Sequence, residues 1–382
     1  MMEPGEGTGT VEGGEDPSRA LAHVKPQVRG MDAYTLRPSD PQIKLNQNES
    51  PYDVPPAIKA RIAERLRDRP WNRYPPFVAA DFIQAVSEAT RWPATGVLVA
   101  NGSNELIQSV LAVTVGPGVS VVIPEPTFTL YRLMTEVNGG TVVSVPLDAE
   151  LRFDVDAIVR AATESRAAVV VLCTPNNPTG SALSREEILR VHDETGAIVL
   201  LDQAYVEFGG YDGISLLDGR PRLVVLRTFS KAMAMAGLRA GYMLADPALA
   251  AEVHKAKLPY NINFFTEVAA AEVLCGRAHL APQLESIRME RDRLLVELGA
   301  ISGLQVYPSA ANFVLFRVTA PGVTHTEVFA RLLDEHGILV RDVSKYPMLE
   351  RCLRVNAGTP EENDAFLAAL RGIMAAAGGK EG

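Results

Sequence analysis

Between residues 97 and 226, short apolar runs alternate with amphipathic segments, and this rhythm restricts the fold more than any other feature of the chain. The runs fall at 97–100, 120–123, 141–145, 168–172, 198–201 and 223–226. They are short and rich in Val, Ile and Leu, as strands buried on both faces are. Between them, 104–113, 127–137, 154–162 and 185–194 carry helical spacing. Strand–helix alternation of this kind predicts an α/β fold, with a mostly parallel sheet covered by helices on both faces. Such sheets bind ligands at the carboxyl ends of their strands. Chemistry is therefore sought in the residues that follow each run.

The flanking segments read differently. Residues 1–19 are rich in Gly and Glu and poor in large apolar side chains, so they are expected to form a disordered tail. Residues 20–50 form an N-terminal arm assigned to a smaller domain, and 51–270 form the large domain. Within it, Pro55-Pro56 opens a helix to about residue 67, and 77–89 is helical by its apolar spacing. A long helical region is expected over 248–298. The C-terminal part, 271–382, completes the smaller α+β domain. Its strands are expected at 311–318, 338–340 and 352–355, and its helices at 324–335 and 360–374.

A net charge of −9 disfavours a nucleic-acid surface, which needs clustered Lys and Arg. No apolar run approaches a membrane span. Cys173, Cys275 and Cys352 are widely spaced, with no CxxC pair and no metal-ligand spacing. They read as buried thiols of a reducing compartment, and the expected location is the cytoplasm.

Polar residues do collect after the apolar runs. Asn101-Gly-Ser-Asn-Glu105 precedes a helix, where free N–H groups at Ser103 and Asn104 suit a phosphate; a plain N-cap by Ser103 is the alternative. Phe128, in Pro124-Glu-Pro-Thr-Phe128, could lie over a flat ligand or simply fill the core. Cys173-Thr-Pro-Asn-Asn-Pro-Thr-Gly180 is a rigid turn that fixes an Asn side chain. Asp202, ending a buried strand, calls for a cationic partner such as a protonated pyridine nitrogen, or else caps a helix. Tyr205 follows three residues later. Arg354 lies inside an apolar strand, where either a substrate carboxylate or a structural salt bridge would satisfy it.

The remaining stretch is Thr228-Phe-Ser-Lys-Ala-Met-Ala-Met-Ala-Gly-Leu-Arg-Ala-Gly-Tyr242. Lys231 follows a buried strand among small residues, so desolvation favours its neutral amine. A neutral amine is what Schiff-base chemistry requires. Ser230 and Arg239 are types that hold a phosphate. A lysine nucleophile flanked by phosphate ligands points to an aldehyde cofactor with a phosphate, pyridoxal 5′-phosphate. A solvated loop lysine is the alternative for this stretch taken alone.

The series Asn72-Arg-Tyr-Pro75, Asn176-Asn-Pro-Thr-Gly180, Asp202-Gln-Ala-Tyr205, Ser230-Lys231 and Gly237-Leu-Arg-Ala-Gly-Tyr242 resembles the fold-type I pyridoxal-phosphate aminotransferases. More narrowly, the chain resembles the histidinol-phosphate aminotransferase family. Leu45-Asn-Gln-Asn-Glu-Ser-Pro51, Val340-Arg-Asp342 with Tyr346-Pro347, and Cys352-Leu-Arg354 carry that match. The likeness runs from about residue 24 to 374.

The resemblance implies a set of roles. Lys231 would attach the cofactor's aldehyde and move the proton, Asp202 would pair with the ring nitrogen, and Asn177 and Tyr205 would bond the ring oxygen. Phe128 would stack on the ring. Ser103, Asn104, Ser230 and Arg239 would hold the phosphate, with Tyr74 reaching the neighbouring subunit's site in a homodimer. Arg354 would hold the carboxylate of glutamate or 2-oxoglutarate, with Asn177 beside it, and Tyr34 and Arg341 would contact a substrate phosphate. The implied reaction joins L-histidinol phosphate and 2-oxoglutarate, giving imidazole-acetol phosphate and L-glutamate in histidine biosynthesis.

This sequence departs from the family pattern at several positions. Phe128 stands where Tyr is usual, Gln203 where Glu is, and Asn104 where Asp is common. Asn356-Ala357 follows Arg354 in place of Thr-Val or Ser-Val. An aromatic amino-acid aminotransferase and a phosphothreonine-type decarboxylase would keep Lys231 and Asp202 on the same scaffold. A regulator borrowing the fold would need a DNA-binding domain, for which the acidic residues before Val24 are too few.

Overall fold

The computed structural model describes residues 17–31 and 40–378. The unit Met1–Pro38 contains two short helices, α1 (Pro17–Leu21) and α2 (Pro26–Arg29). The tail expected over 1–19 falls largely outside the described residues.

The unit Ser39–Gly382 holds the sheets. It begins with β1 (Ile43–Lys44), α3 (Pro56–Leu66) and α4 (Ala80–Thr90). The alternating region then follows as β2 (Val97–Ala100), α5 (Ser103–Thr114), β3 (Ser120–Glu125), α6 (Leu130–Val137) and β4 (Thr141–Pro146). It continues through α7 (Val155–Glu164), β5 (Val169–Cys173), α8 (Arg185–Glu194), β6 (Ile198–Asp202), β7 (Leu223–Thr228) and β8 (Gly241–Leu244). Helix starts are chemically marked: Asp154 caps α7, and Ser184 with Glu187 forms a capping box on α8.

These strands form one seven-stranded sheet in the order β2-β8-β7-β6-β5-β3-β4. Every pairing is parallel except those of β8, which runs antiparallel to both β2 and β7. Successive residues point to opposite faces, and both faces are buried. Val170, Leu172, Val199 and Leu201 enter one core cluster, while their neighbours Val169, Val171 and Leu200 enter another. This two-sided burial is why the strands read as continuous apolar runs.

The chain continues with α9 (Pro247–His254), α10 (Phe264–Cys275) and α11 (Ala281–Gly299). The helical region expected over 248–298 is thus made of three helices. Pro259 and a left-handed Tyr260 (φ 56°) break it between the first two. Cys275 at the end of α10 is exposed, against the expectation of a buried thiol, while Cys173 and Cys352 are buried.

A second sheet follows, from β9 (Leu304–Val306), β10 (Phe313–Val318), α12 (His325–Asp334), β11 (Ile338–Leu339), β12 (Arg341–Asp342), β13 (Cys352–Asn356) and α13 (Pro360–Gly378). It is antiparallel, in the order β12-β13-β10-β9. The strand expected over 338–340 is β11, which lies outside this sheet and pairs in parallel with β1, while β12 just after it joins the sheet. That pairing leads the chain after β1 straight into the site. Among the described residues, no helix is long and apolar enough to cross a membrane, and no cluster of His, Cys, Asp and Glu could hold a metal ion.

Candidate active site

The carboxyl ends of β2, β5, β6 and β7 lie on one edge of the large sheet. The antiparallel β8 starts at that edge, because Gly241 pairs with both Ala100 and Thr228. Arg239, two residues before Gly241, is thereby brought to the start of α5. Its Nη1 donates to the Ser230 hydroxyl at 3.1 Å and to the Ala236 carbonyl at 3.0 Å. Gly102, with φ 85° and ψ 165°, sits directly under the guanidinium; a Cβ there would lie 2.7 Å from Arg239 Nη2. That backbone region is open essentially to glycine alone. Ser103 is buried at the first turn of α5, Asn104 is exposed, and no side chain caps the helix. The capping alternative for Ser103 does not hold. Free amide groups, a serine hydroxyl and an arginine thus meet at one helix start, a cradle of the kind that receives a phosphate.

Asp202 ends β6 fully enclosed. Its Oδ2 accepts from the Tyr131 hydroxyl at 2.6 Å and its Oδ1 from the Ala204 amide at 3.1 Å. Burial raises its carboxyl pKa above the usual range, opposed first by the Tyr131 hydrogen bond. Burial, and then the Asp202 charge, push the Tyr131 phenol well up. The Cys173 thiol is likewise pushed up to about 12 by burial and by Asp202. A buried carboxylate whose hydrogen-bond partners are neutral would be stabilised by a cationic ring nitrogen. Tyr131 was not visible as a site residue in the sequence, although it lies one helical turn beyond Phe128. Phe128 is half-buried and meets Tyr131 edge-to-face at 5.7 Å.

Lys231 Nζ donates to the Gln47 carbonyl at 2.7 Å and lies 5.9 Å from the centre of the Tyr205 ring. Desolvation is the largest cause that lowers its pKa to about 7, reinforced by the Arg354 charge and opposed by Glu49. The lysine therefore gives up its proton near neutrality, far more readily than a solvated ammonium. Tyr205 packs edge-to-face on Phe313 at 5.3 Å, and its hydroxyl accepts from Asn48 Nδ2 at 3.0 Å.

Arg354 is buried in β13. One amino group donates to the Asn177 side-chain oxygen and the other to the Asn46 carbonyl, the latter at 2.8 Å. Both acceptors are neutral. Its guanidinium also lies over the Phe313 ring at 5.0 Å. The Asn177 turn is braced by Asn176, whose Nδ2 donates to the Pro126 carbonyl and the Thr179 hydroxyl.

Residues 46–48 form a strap across this site: Asn46 serves Arg354, Gln47 serves Lys231 and Asn48 serves Tyr205. The side-chain oxygens of Asn46 and Asn48 are buried without a hydrogen-bond partner among the described residues. Three positions stand apart. Tyr74 is 82% exposed and stacks on Tyr260 at 4.7 Å. Arg341 is half-buried in β12, directly across from Arg354. Tyr34 lies outside the described residues. The anion cradle, the enclosed acid and the low-pKa lysine together fit pyridoxal 5′-phosphate.

Such a fold and site define a pyridoxal-phosphate enzyme, and its family follows from likeness to known proteins. Residues 40–370 match the family model for aminotransferase class I and II, and the chain belongs to that family. Its cofactor is pyridoxal 5′-phosphate. Among curated proteins, the histidinol-phosphate aminotransferase of Chlorobaculum parvum is 41% identical over 92% of this chain and 98% of its own length. The protein of the same name from Chlorobaculum tepidum is 39% identical over 91% and 99%. Among solved structures, histidinol-phosphate aminotransferase from Sinorhizobium meliloti, in complex with pyridoxal-5′-phosphate, superimposes with a TM-score of 0.84. It is 24% identical, covering 93% of this chain and 98% of that one, and shows the shared fold. L-threonine-O-3-phosphate decarboxylase from Porphyromonas gingivalis shares the fold too, with a TM-score of 0.75, 24% identity, and coverage of 87% of this chain and 99% of that one.

Proposed function

We propose that this aminotransferase moves the amino group of L-histidinol phosphate to 2-oxoglutarate, yielding imidazole-acetol phosphate and L-glutamate, a step of histidine biosynthesis. The agreement of full-length relatives at about 40% identity carries this reading, since they are named for that donor. The chain's own residues are consistent with it.

When bound, pyridoxal phosphate supplies an aldehyde for the incoming amine and a ring that accepts electrons. Lys231, whose amine is already partly neutral near pH 7, would hold that aldehyde and would carry the proton that leaves the substrate's Cα. Asp202, with Tyr131 behind it, would pair with the protonated ring nitrogen. Tyr205 and Asn177 would bond the ring oxygen, and Phe128 would stack on the ring. Ser103, Asn104, Ser230 and Arg239 would hold the phosphate. Arg354 would take the α-carboxylate of glutamate or 2-oxoglutarate, a bidentate geometry suited to guanidinium. Histidinol phosphate has no carboxylate, so its phosphate needs another cation; Arg341, across from Arg354, is assigned there.

The protein works as a homodimer in the cytoplasm. Trp71, Tyr74, Phe77, Leu258 and Phe265 are large apolar side chains left exposed, and two of them, Tyr74 and Phe77, are joined through Tyr260. An apolar patch of this kind marks an interaction surface. A second subunit would cover it and bring Tyr74 to its partner's phosphate cradle.

The test is a comparison of amino donors with 2-oxoglutarate as acceptor. Histidinol phosphate should give the highest kcat/KM. A preference for phenylalanine, or release of CO₂ from phosphothreonine, would overturn the assignment.

A further inference from the structure

The strap contact of Asn48 on Tyr205 joins two groups that no residue-type argument connects. Asn48 is 2% exposed and adopts φ 56°, a conformation Asn tolerates better than most residues. Both of its main-chain groups are claimed by buried asparagines. Its N–H donates to Asn356 Oδ1 at 3.2 Å, and its carbonyl accepts from Asn312 Nδ2 at 3.1 Å. The side chain is thus aimed from a locked backbone, and Nδ2 reaches the Tyr205 hydroxyl oxygen at 3.0 Å.

An amide nitrogen donates and never accepts. The contact therefore occupies a lone pair of the Tyr205 oxygen and leaves its proton to be given elsewhere. Burial raises the Tyr205 phenol above its ordinary range, opposed by Arg354 and the Asn48 bond and reinforced by Cys173 and Asp202. With Lys231 against its ring, these are the charged and titratable groups facing it, and the phenol keeps its proton.

We propose that Asn48 is a positioning residue whose amide orients the Tyr205 hydroxyl, so that it donates its proton in a hydrogen bond to the ring oxygen of the bound cofactor. The inference rests on the reading of Tyr205 as that oxygen's donor. A donor there favours the anionic form of the ring oxygen and so lowers the pH at which the bound chromophore ionises.

The experiment is a pH titration of the cofactor's visible absorption band in the holoenzyme, with cofactor affinity measured by fluorescence quenching of the apoprotein. The variants are Asn48→Asp, Asn48→Ala, Tyr205→Phe and the two doubles. Asn48→Asp replaces the donor with an acceptor that captures the tyrosine proton. Its midpoint should rise by roughly one to two pH units, the scale of one hydrogen bond to a charged group. Asn48→Ala should give a smaller rise and serves if the aspartate variant fails to fold. In the Tyr205→Phe background neither change should move the midpoint further. A wild-type midpoint in both single variants overturns the proposal, as does an equal shift in the presence and absence of the Tyr205 hydroxyl. Should Tyr205→Phe itself leave the midpoint unmoved, the tyrosine is not the oxygen's donor, and that prior reading fails together with the proposal.

Discussion

Arg354, from the second sheet, donates to the side-chain oxygen of Asn177, from the turn after β5. This bond closes the site between two sheets that sequence spacing leaves unrelated. Two of the oxygens that the guanidinium holds, on Asn177 and Asn46, are neutral, and a substrate carboxylate would bind the guanidinium more strongly.

Arg354→Ala should therefore lose about 2–5 kcal/mol of transition-state binding with glutamate, the scale for truncating one member of a buried charge pair. At about 1.4 kcal/mol per tenfold, that is roughly a 30-fold to several-thousand-fold fall in kcat/KM. Steady-state kinetics with glutamate and 2-oxoglutarate measure it. An unchanged KM for both acids would make the arginine a structural residue.

Lys231 sets a pH dependence. Its folded pKa is near 7 against an ordinary value of 10.5, so between these the folded chain binds fewer protons than the unfolded one. The stability of the apoprotein should accordingly rise with pH across that window, relative to Lys231→Met. Binding of the cofactor's aldehyde should quicken with a midpoint near pH 7, as the neutral amine appears. Stopped-flow absorbance checks this; a midpoint above 9 would mean an exposed, ordinary lysine.

Gly102→Ala tests the anion cradle. The backbone there costs about 1–3 kcal/mol for any residue with a Cβ, and the new methyl group would displace Arg239. Cofactor affinity should fall severalfold or more while far-UV circular dichroism stays native. Wild-type affinity in a folded variant would remove Gly102 and Arg239 from the phosphate site.

The large sheet was legible because strands covered on both faces leave continuous apolar runs, as 168–172 and 223–226 do. Loops after those strands were legible too, since Asn177, Asp202 and Lys231 are chemically distinctive types at strand ends. The antiparallel β8 was not, being four residues long behind a loop, and with it went the reason Arg239 reaches Gly102. The contacts of Asn46 and Gln47 run through backbone carbonyls, which carry no residue-type signal. Tyr131 carries only an indirect signal: a buried Asp202 requires a donor, and a tyrosine in the first turn of α6, far upstream, supplies it. The break at residues 255–263 was concealed because its flanks are equally helical, leaving Pro259 as the only mark.

The most direct test of the account is borohydride reduction of the holoenzyme, followed by peptide mapping. The account predicts a pyridoxyl label on Lys231 and its absence from Lys257, a second lysine whose pKa burial lowers. A label on any other lysine, or none at all, would contradict the account.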